Sequence, residues 1–310
     1  MNPIDRRLPA ASSPSGANMS DNRLSSGKNV FFKTPAKMKI LFYGNCQTDV
    51  THRALTFSNP LCEFEYAGNS RRVGHFDENR KNRLLEWCDH IVTQPIMNKN
   101  NPDYYQNLLD RHGDKITFMP YIFLDGFFAM SYAPGSIGST ISGVIGQEPI
   151  RDMLLKEGFD ETLAQFRSGK INFSHQERLK YNFEEMERRD AICHAKVLPF
   201  ILERYKDQHV MITHNHPIPE MINDIAAQIA TRLELNFDPV RMDQPHRYAR
   251  ITLPEFSSLV LPQTVEENGF NYPYDLHWIN KGRRLIRIIA KAYDVPVSDR
   301  RSDTIADELD

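Results

Sequence analysis

The stretch KILFYGNCQT, residues 39–48, decides the fold of this 310-residue chain and raises the question of its function. Its first part, KILFY (39–43), is largely apolar and does not alternate with polar residues, which predicts a β-strand buried on both faces. A glycine then leads into Asn-Cys-Gln, and residues 47–58 are predicted to form a helix. A cysteine that only packs in a core needs no such amide neighbours, so Cys46 is a candidate for chemistry.

Working outward from this stretch, predicted strands and helices alternate along the chain. We predict strands at 39–43, 62–66, 90–95 and 115–120, and helices at 47–58, 78–88 and 101–113. The third of these helices is expected to begin at Asn101, with Pro102 in its first turn. This alternation predicts a mostly parallel sheet with helices on both faces. The expected fold class is therefore a three-layer α/β/α sandwich of the flavodoxin-like kind.

A helical insert is predicted to interrupt the sheet over about 147–208 and to form a cap over the site. The second half of the chain is then expected to continue with further elements. These are a Gly/Ser-rich loop at 134–146, a fifth strand at 209–213, a helix at 214–235, a strand at 257–262 and a last helix at 274–295.

The predicted domain organisation is a single α/β domain over 37–300, carrying the helical insert. Residues 1–36 are rich in Ser, Asn, Pro and Arg and lack the apolar core of a secretory signal, which predicts a disordered leader. Residues 301–310 are predicted to be a tail.

The composition is that of an ordinary globular protein, with 40% hydrophobic and 25% charged residues. A net charge of −2 and a sequence pI of about 6.6 indicate neither a nucleic-acid partner nor a membrane surface. No apolar run approaches the roughly 18 residues of a membrane-spanning helix, so no transmembrane segment is expected. The four cysteines, at positions 46, 62, 88 and 193, form no CxxC pair. They favour a reducing, cytoplasmic setting and argue against a zinc ribbon.

Polar segments follow several of the predicted strands at the point where each strand ends. Ligands of open parallel sheets bind at the carboxyl ends of the strands, so we expect these segments to lie together. We assign oxyanion or substrate contacts to five residues among them: Gly44, Asn45, Gln47, Asn69 and Gln94.

Cys46 is the predicted nucleophile. At a helix N-terminus the helix dipole and free backbone N–H groups favour the thiolate, and the same N–H groups can hold a developing oxyanion. The alternative is that Cys46 is a buried small hydrophobe, as free cysteines commonly are.

A cysteine nucleophile needs a base, and the sequence offers two histidines. His216 precedes Pro217 at a predicted helix start, and His277 follows Asp275, which is placed to orient an imidazole. Alternatively, either histidine has only a structural role. His214 and His216 are also a possible metal pair with Asp243 and His246 from the next loop, but the spacing is not that of a metal site and none is expected.

Several motifs together resemble the WcbI family of capsular polysaccharide biosynthesis proteins over roughly residues 39–235. They are GNCQ (44–47), VTQP (92–95), MPYIFLDGFF (119–128), SIGSTISGVIG (136–146) and THNHP (213–217). The resemblance implies an α/β/α fold related in outline to SGNH esterases, binding of coenzyme A or acetyl-CoA, and O-acetyl transfer to a sugar. It also favours His216, which lies in the THNHP segment. The segment around His277 is similar to the last block of SGNH hydrolases, although Asp275 stands two residues before the histidine instead of three.

Coenzyme A phosphates call for arginine, lysine or helix N-termini. Arg71 and Arg72 follow Asn69 at the predicted site edge, and the THNHP segment adds Asn215 to the candidate cofactor contacts. Glycine-rich phosphate loops of the GxGxxG or Walker type are absent from the sequence. The aromatic pairs Phe127-Phe128 and Tyr104-Tyr105 either flank a pantetheine or sugar or belong to the core.

The expected function is transfer of an acetyl group from acetyl-CoA to a sugar hydroxyl of a capsular or other surface polysaccharide. Cys46 would take the acyl group covalently, or line the oxyanion site while a histidine deprotonates the sugar for direct attack. The alternatives are an esterase or thioesterase that uses water, and a non-catalytic glycan- or nucleotide-binding protein of polysaccharide assembly. Any association with the polysaccharide assembly machinery would be peripheral.

Overall fold

A computed structural model describes most of the chain between residues 38 and 297. The described residues are 38–69, 77–132, 144–145, 148–239 and 257–297. The predicted leader (1–36) and tail (301–310), and most of the Gly/Ser-rich segment at 134–146, lie outside them.

Nine strands and nine α-helices are placed in the described part of the chain. The strands are β1 Lys39–Gly44, β2 Glu63–Gly68, β3 His90–Thr93, β4 Ile116–Phe118, β5 Met130–Tyr132, β6 Val144–Ile145, β7 Met211–Thr213, β8 His216–Pro217 and β9 Ser257–Leu259. The helices are α1 Cys46–Ser58, α2 Glu78–Trp87, α3 Tyr105–His112, α4 Glu148–Arg167, α5 His175–Ile192, α6 Leu198–Arg204, α7 Pro219–Leu233, α8 Pro262–Asn268 and α9 Trp278–Ala292.

The central sheet has four parallel strands in the order β2-β1-β3-β4. β1 lies between β2 and β3, and its residues Ile40, Leu41 and Phe42 are fully buried. Burial on both faces explains why the KILFY stretch does not alternate. The α/β fold class predicted from the sequence is confirmed.

Helices cover both faces of this sheet. Ile40 and Phe42 belong to an apolar cluster with residues of α1 and α7, whereas Leu41 and Tyr43 pack with residues of α2 and α3. Successive β1 side chains point to opposite faces, so one strand contributes to two cores. The result is the three-layer arrangement expected.

The predicted insert at about 147–208 consists of helices α4, α5 and α6. α4 is broken at Gly158, whose φ is 81°. α4 packs against α9 in a separate apolar cluster that includes Phe166 and Trp278. α5 instead packs on a 3-10 turn at Asp125–Phe127, directly after the loop that leaves β4.

The strand predicted at 209–213 is present as β7, but it does not join the parallel sheet. β7 forms an antiparallel pair with β8, and this hairpin is separate from the four-stranded sheet. The reason is the turn at 214–215, which reverses the chain directly after Thr213 and gives β7 its partner from its own sequence. β9 likewise pairs antiparallel with β5 instead of joining the parallel strands.

The third helix also begins later than predicted, at Tyr105. The side chain of Asn101 accepts a hydrogen bond from the Asp103 backbone N–H and closes a turn, but the chain becomes helical only at Tyr105. The helix predicted at 214–235 similarly begins at Pro219, after the β7–β8 hairpin. In the described part of the chain, the structure contains no helix both long and apolar enough to cross a membrane.

Gly44 is required where β1 turns into α1. A Cβ placed on Gly44 would lie 2.1 Å from Thr48 Oγ1 and 2.8 Å from Thr48 Cβ. Thr48 is fully buried in the first turn of α1 and has no room to retreat. The strand and the helix therefore approach closely only because residue 44 lacks a side chain.

We predict that Gly44→Ala lowers the free energy of unfolding by about 1–3 kcal/mol, because the added methyl group overpacks the turn. Urea denaturation of the variant and the wild type measures the difference. The double variant Gly44→Ala/Thr48→Ala makes room for the methyl group and should be less destabilised than the two single changes together imply. Simple additivity would contradict the contact.

Candidate functional site

The site lies where the ends of β1 and β3 meet the β7–β8 hairpin. Cys46 is the first residue of α1, and the Asn45 side chain caps this helix by accepting the Gln47 backbone N–H at 2.9 Å. Across the edge, His216 opens β8, and its Nε2 lies 3.9 Å from Cys46 Sγ. Residues 170 positions apart in sequence thus form a thiol–imidazole pair.

Thr213 fixes the orientation of the His216 ring. Its Oγ1 lies 2.6 Å from His216 Nδ1, and its hydroxyl donates to Asn215 Oδ1 at 3.2 Å. A hydroxyl has one hydrogen, so the oxygen that faces Nδ1 accepts and Nδ1 carries the proton. The unprotonated Nε2 then faces the thiol, as a general base requires. Thr213 is the first residue of the THNHP segment, but no local pattern in the sequence marks it as a functional residue.

The resting pair is neutral. Burial raises the pKa of the Cys46 thiol, and the backbone N–H groups of Gln47 and Cys46, which favour the thiolate, do not offset it. Burial also lowers the pKa of His216. The backbone N–H groups at the helix N-terminus do favour the thiolate, but desolvation outweighs them in the free protein.

The Gln47 side chain holds three chain segments together at this edge. Its amide nitrogen donates to the carbonyl oxygens of Ile122 and Asn215, both at 2.7 Å. Its oxygen accepts the Ile122 backbone N–H at 3.0 Å and the Gln94 amide at 2.9 Å. Gln47 is only 2% exposed. Its hydrogen bonds are used within the protein, which gives it a positioning role instead of the donor role predicted for it.

Gln94 completes this buried amide pair. Its nitrogen also donates to the Pro120 carbonyl at 3.3 Å, and its oxygen accepts the Asn45 backbone N–H at 3.4 Å. Asn69, at the end of β2, joins the same edge through its backbone N–H, which donates to the Gly44 carbonyl at 3.0 Å. All five predicted oxyanion or substrate residues therefore lie at one sheet edge, with Asn69 half-buried.

His277 lies in a different setting from His216. It is exposed and precedes α9, and its backbone N–H donates to Asp275 Oδ1 at 3.0 Å. Asp275 Oδ2 pairs with Lys281 at 2.6 Å. The structure thus places His216, and not His277, in contact with the Cys46 thiol.

His214 is buried beside His216, and its pKa falls to about 4 because of burial and the neighbouring His216. Its ring packs edge-on against Phe123 at 5.1 Å. Asp243 and His246, its suggested metal partners, lie outside the described residues. Within the described ranges, the structure shows no group of three His, Cys, Asp or Glu residues arranged to hold a metal ion.

Of the three predicted cofactor contacts, the structure describes one. Arg71 and Arg72 lie outside the described residues, whereas Asn215 lies at the site, between Gln47 and Thr213. The aromatic pairs are packed within the fold. Phe127 and Phe128 are buried core residues, and Tyr104 and Tyr105 pack on each other at 4.7 Å.

Two tyrosines that the sequence analysis did not select are near Cys46. Tyr66 donates through its hydroxyl to the Gly44 carbonyl at 3.1 Å. Burial raises the pKa of Tyr121, Arg189 lowers it, and a thiolate at Cys46 would raise it further. Tyr66 ends the strand predicted at 62–66, and Tyr121 follows the strand predicted at 115–120, so their places at strand ends are the signal that could have selected them.

Comparisons with known proteins agree with this architecture. The family model described as "Polysaccharide biosynthesis enzyme WcbI" matches residues 39–238. A solved structure of WcbI, a novel polysaccharide biosynthesis enzyme, is similar with a TM-score of 0.52 and 15% sequence identity. The similarity covers 86% of this chain and 96% of that one. That structure is described as the native protein without a disulfide bond between coenzyme A and a cysteine. No curated protein matches this chain.

We predict that Gln47→Leu lowers the free energy of unfolding by roughly 2–4 kcal/mol, because it leaves buried backbone groups and the Gln94 amide without their partner. Urea denaturation measures the loss. Gln106→Leu, at an exposed glutamine on α3, is the control and should change stability by less than about 0.5 kcal/mol. Equal effects of the two changes would contradict the role of Gln47.

A second prediction concerns the pH dependence of Cys46 alkylation. Because burial raises the thiol pKa, the rate with iodoacetamide should increase steadily from about pH 6 to pH 9, with no plateau near neutrality. Mass spectrometry of the Cys46 peptide measures it. His216→Asn should give a profile of the same shape, since a neutral imidazole contributes no charge. A plateau reached below pH 7 would indicate a thiolate–imidazolium pair instead.

Proposed function

Because this chain belongs to the WcbI family of polysaccharide biosynthesis enzymes, we propose that it transfers an acyl group from coenzyme A to a sugar hydroxyl. The acyl group is acetyl in the simplest case, and the acceptor is a sugar of a capsular or other surface polysaccharide. The observation that carries this proposal is the Cys46–His216 pair at the carboxyl edge of a parallel sheet.

Two features support a coenzyme A thioester as the donor. The similar WcbI structure is described in terms of coenzyme A and a cysteine, and Cys46 is the half-buried cysteine of this chain that contacts a histidine. A thiol beside a neutral base is also suited to exchange with a thioester, because the entering and leaving groups are both sulfur.

In the covalent route, Cys46 Sγ attacks the thioester carbonyl while His216 Nε2 takes the thiol proton. The carbon–sulfur bond to coenzyme A breaks, and His216 returns the proton to the departing thiolate. Cys46 then holds the acyl group as a thioester. His216 next removes the proton of the sugar hydroxyl, whose oxygen attacks the acyl carbon and releases Cys46 as the thiolate, which His216 protonates.

In the direct route, His216 deprotonates the sugar hydroxyl, and its oxygen attacks the donor thioester without an acyl-enzyme. Cys46 then only lines the site. In both routes charge develops on the carbonyl oxygen, and we propose that the backbone N–H groups at the start of α1 and the Asn69 side chain stabilise it.

The remaining cofactor contacts are also proposed. Arg71 and Arg72 follow Asn69 in sequence and are our candidates for the phosphates of coenzyme A, together with Asn215 at the site. We place the reaction in the cytoplasm, with at most peripheral association with a polysaccharide assembly complex.

The test is calorimetric titration of coenzyme A and acetyl-CoA into the wild type and Cys46→Ser, followed by mass spectrometry after incubation with acetyl-CoA. We expect the wild type to bind both compounds and to acquire an acetyl group on the Cys46 peptide. Cys46→Ser should bind but form no thioester. Cys62→Ser, at another half-buried cysteine, is the matched control and should behave as the wild type.

Each outcome has a defined meaning. Binding without an adduct supports the direct route. Steady release of acetate to water, unaffected by sugar acceptors, identifies a hydrolase instead. If neither compound binds, the acyltransferase proposal is overturned.

A further inference from the structure

A cavity of about 280 Å³ lies between the loop that follows β4 and helix α5. Phe123 and Asp125 line it from the loop, and Arg178, Tyr181 and Arg189 are among the α5 residues opposite. We propose that this cavity is the subsite for one neutral sugar ring, the acceptor of the transfer. This inference rests on the proposed function and adds the chemical class and the place of the second substrate.

The charges of the cavity argue against a phosphate group. Three carboxylates, of Asp125, Glu177 and Glu185, face two guanidinium groups. Both guanidinium groups are already engaged within the protein. Arg178 donates to the Asp125 carbonyl at 2.7 Å and lies 3.3 Å from its carboxylate. Arg189 donates to the Tyr121 carbonyl at 2.9 Å. An anion would therefore find no unengaged guanidinium group in the lining and would lie beside carboxylates.

The same groups suit a ring that carries several hydroxyls. Glu177 is exposed, so its carboxylate oxygens can accept from sugar O–H groups, whereas Glu185 is already paired with Arg188. Tyr181, 60% exposed, offers an aromatic face at the rim, against which the apolar face of a sugar packs. The volume is at the lower limit of small-molecule sites, roughly 300–1,000 Å³, which fits a single ring better than a nucleotide.

The cavity wall is fixed before any ligand arrives. Asn182 donates to Asp125 Oδ1 at 2.9 Å and accepts the Gly126 backbone N–H at 2.8 Å. The Gly126 Cα lies so close to α5 that an added Cβ would be 2.5 Å from the Leu179 backbone nitrogen. A preformed polar wall binds with little loss of conformational entropy.

Tyr121 lies near both a residue of the cavity lining, Arg189, and Cys46. Arg189 lines the cavity, and its guanidinium lies 5.2 Å from the centre of the Tyr121 ring. Tyr121 is in turn close enough to Cys46 for a thiolate there to raise its pKa. On the other side, Phe123 lines the cavity and contacts His214, two residues before His216. The same loop therefore borders both the cavity and the thiol–imidazole pair.

The experiment is saturation-transfer NMR of the full chain with methyl glycosides of glucose, mannose and galactose, each titrated into the millimolar range. We expect at least one glycoside to give a signal, and Tyr181→Ala and Glu177→Gln each to weaken its binding by about fivefold. Tyr274→Ala, at an exposed tyrosine outside the cavity lining, is the matched control and should leave binding unchanged.

Three results would overturn the subsite. They are the absence of a signal from every glycoside, a signal unaffected by both cavity variants, and displacement of the glycoside by inorganic phosphate. Calorimetry of coenzyme A is run on the same variants. Loss of coenzyme A binding in Tyr181→Ala would assign the cavity to the donor and also overturn the proposal. If the wild type binds a glycoside but not coenzyme A, the proposed acyltransferase function is overturned, whereas the sugar subsite is supported.

Discussion

The side-chain amide of Gln47 is the interaction on which the geometry of the site depends. It lies one residue after Cys46 and makes four hydrogen bonds in a setting that is almost closed to water. A buried amide that loses such partners is costly, so the segments it joins are held in one arrangement. These segments carry Ile122, Asn215 and Gln94, each from a different part of the sequence. The position of His216 relative to Cys46 follows from this junction.

Burial of the site also sets the protonation states of Cys46 and His216. Removing Cys46 and His216 from water disfavours the charged form of each, which leaves a thiol beside a neutral imidazole. Thr213 supports this state, because a hydroxyl orients the ring without supplying the negative charge of a carboxylate. Such a site keeps the Cys46 thiol protonated unless a base removes its proton. A thioester donor suits it, since the departing sulfur can take back the same proton.

Helix α5 is the helix of the insert that lies against the loop after β4, next to the candidate site. One face of it carries Arg178, Asn182, Glu185 and Arg189, spaced at three to four residues, and this face meets the loop after β4. The insert was expected to be a cap, and α5 does lie against a loop of the site. α4 packs elsewhere, against α9, so the three helices of the insert do not act as one unit. The polar face of α5 supplies most of the side chains that line the adjoining cavity.

Local patterns in the sequence are enough to predict the layered fold and the sheet edge at which the candidate site lies. Unbroken apolar strands alternating with helices permit few arrangements, and parallel strands place the residues after Gly44, Gly68 and Thr93 at one end. The sequence also selected Cys46 and offered His216, because local context marks a residue at a strand-to-helix turn. The choice between His216 and His277, the role of Gln47 and the neutral state of the thiol were decided only by the tertiary structure. All three depend on the burial of particular side chains and on contacts between segments far apart in the chain. The local periodicity of the sequence does not encode such contacts.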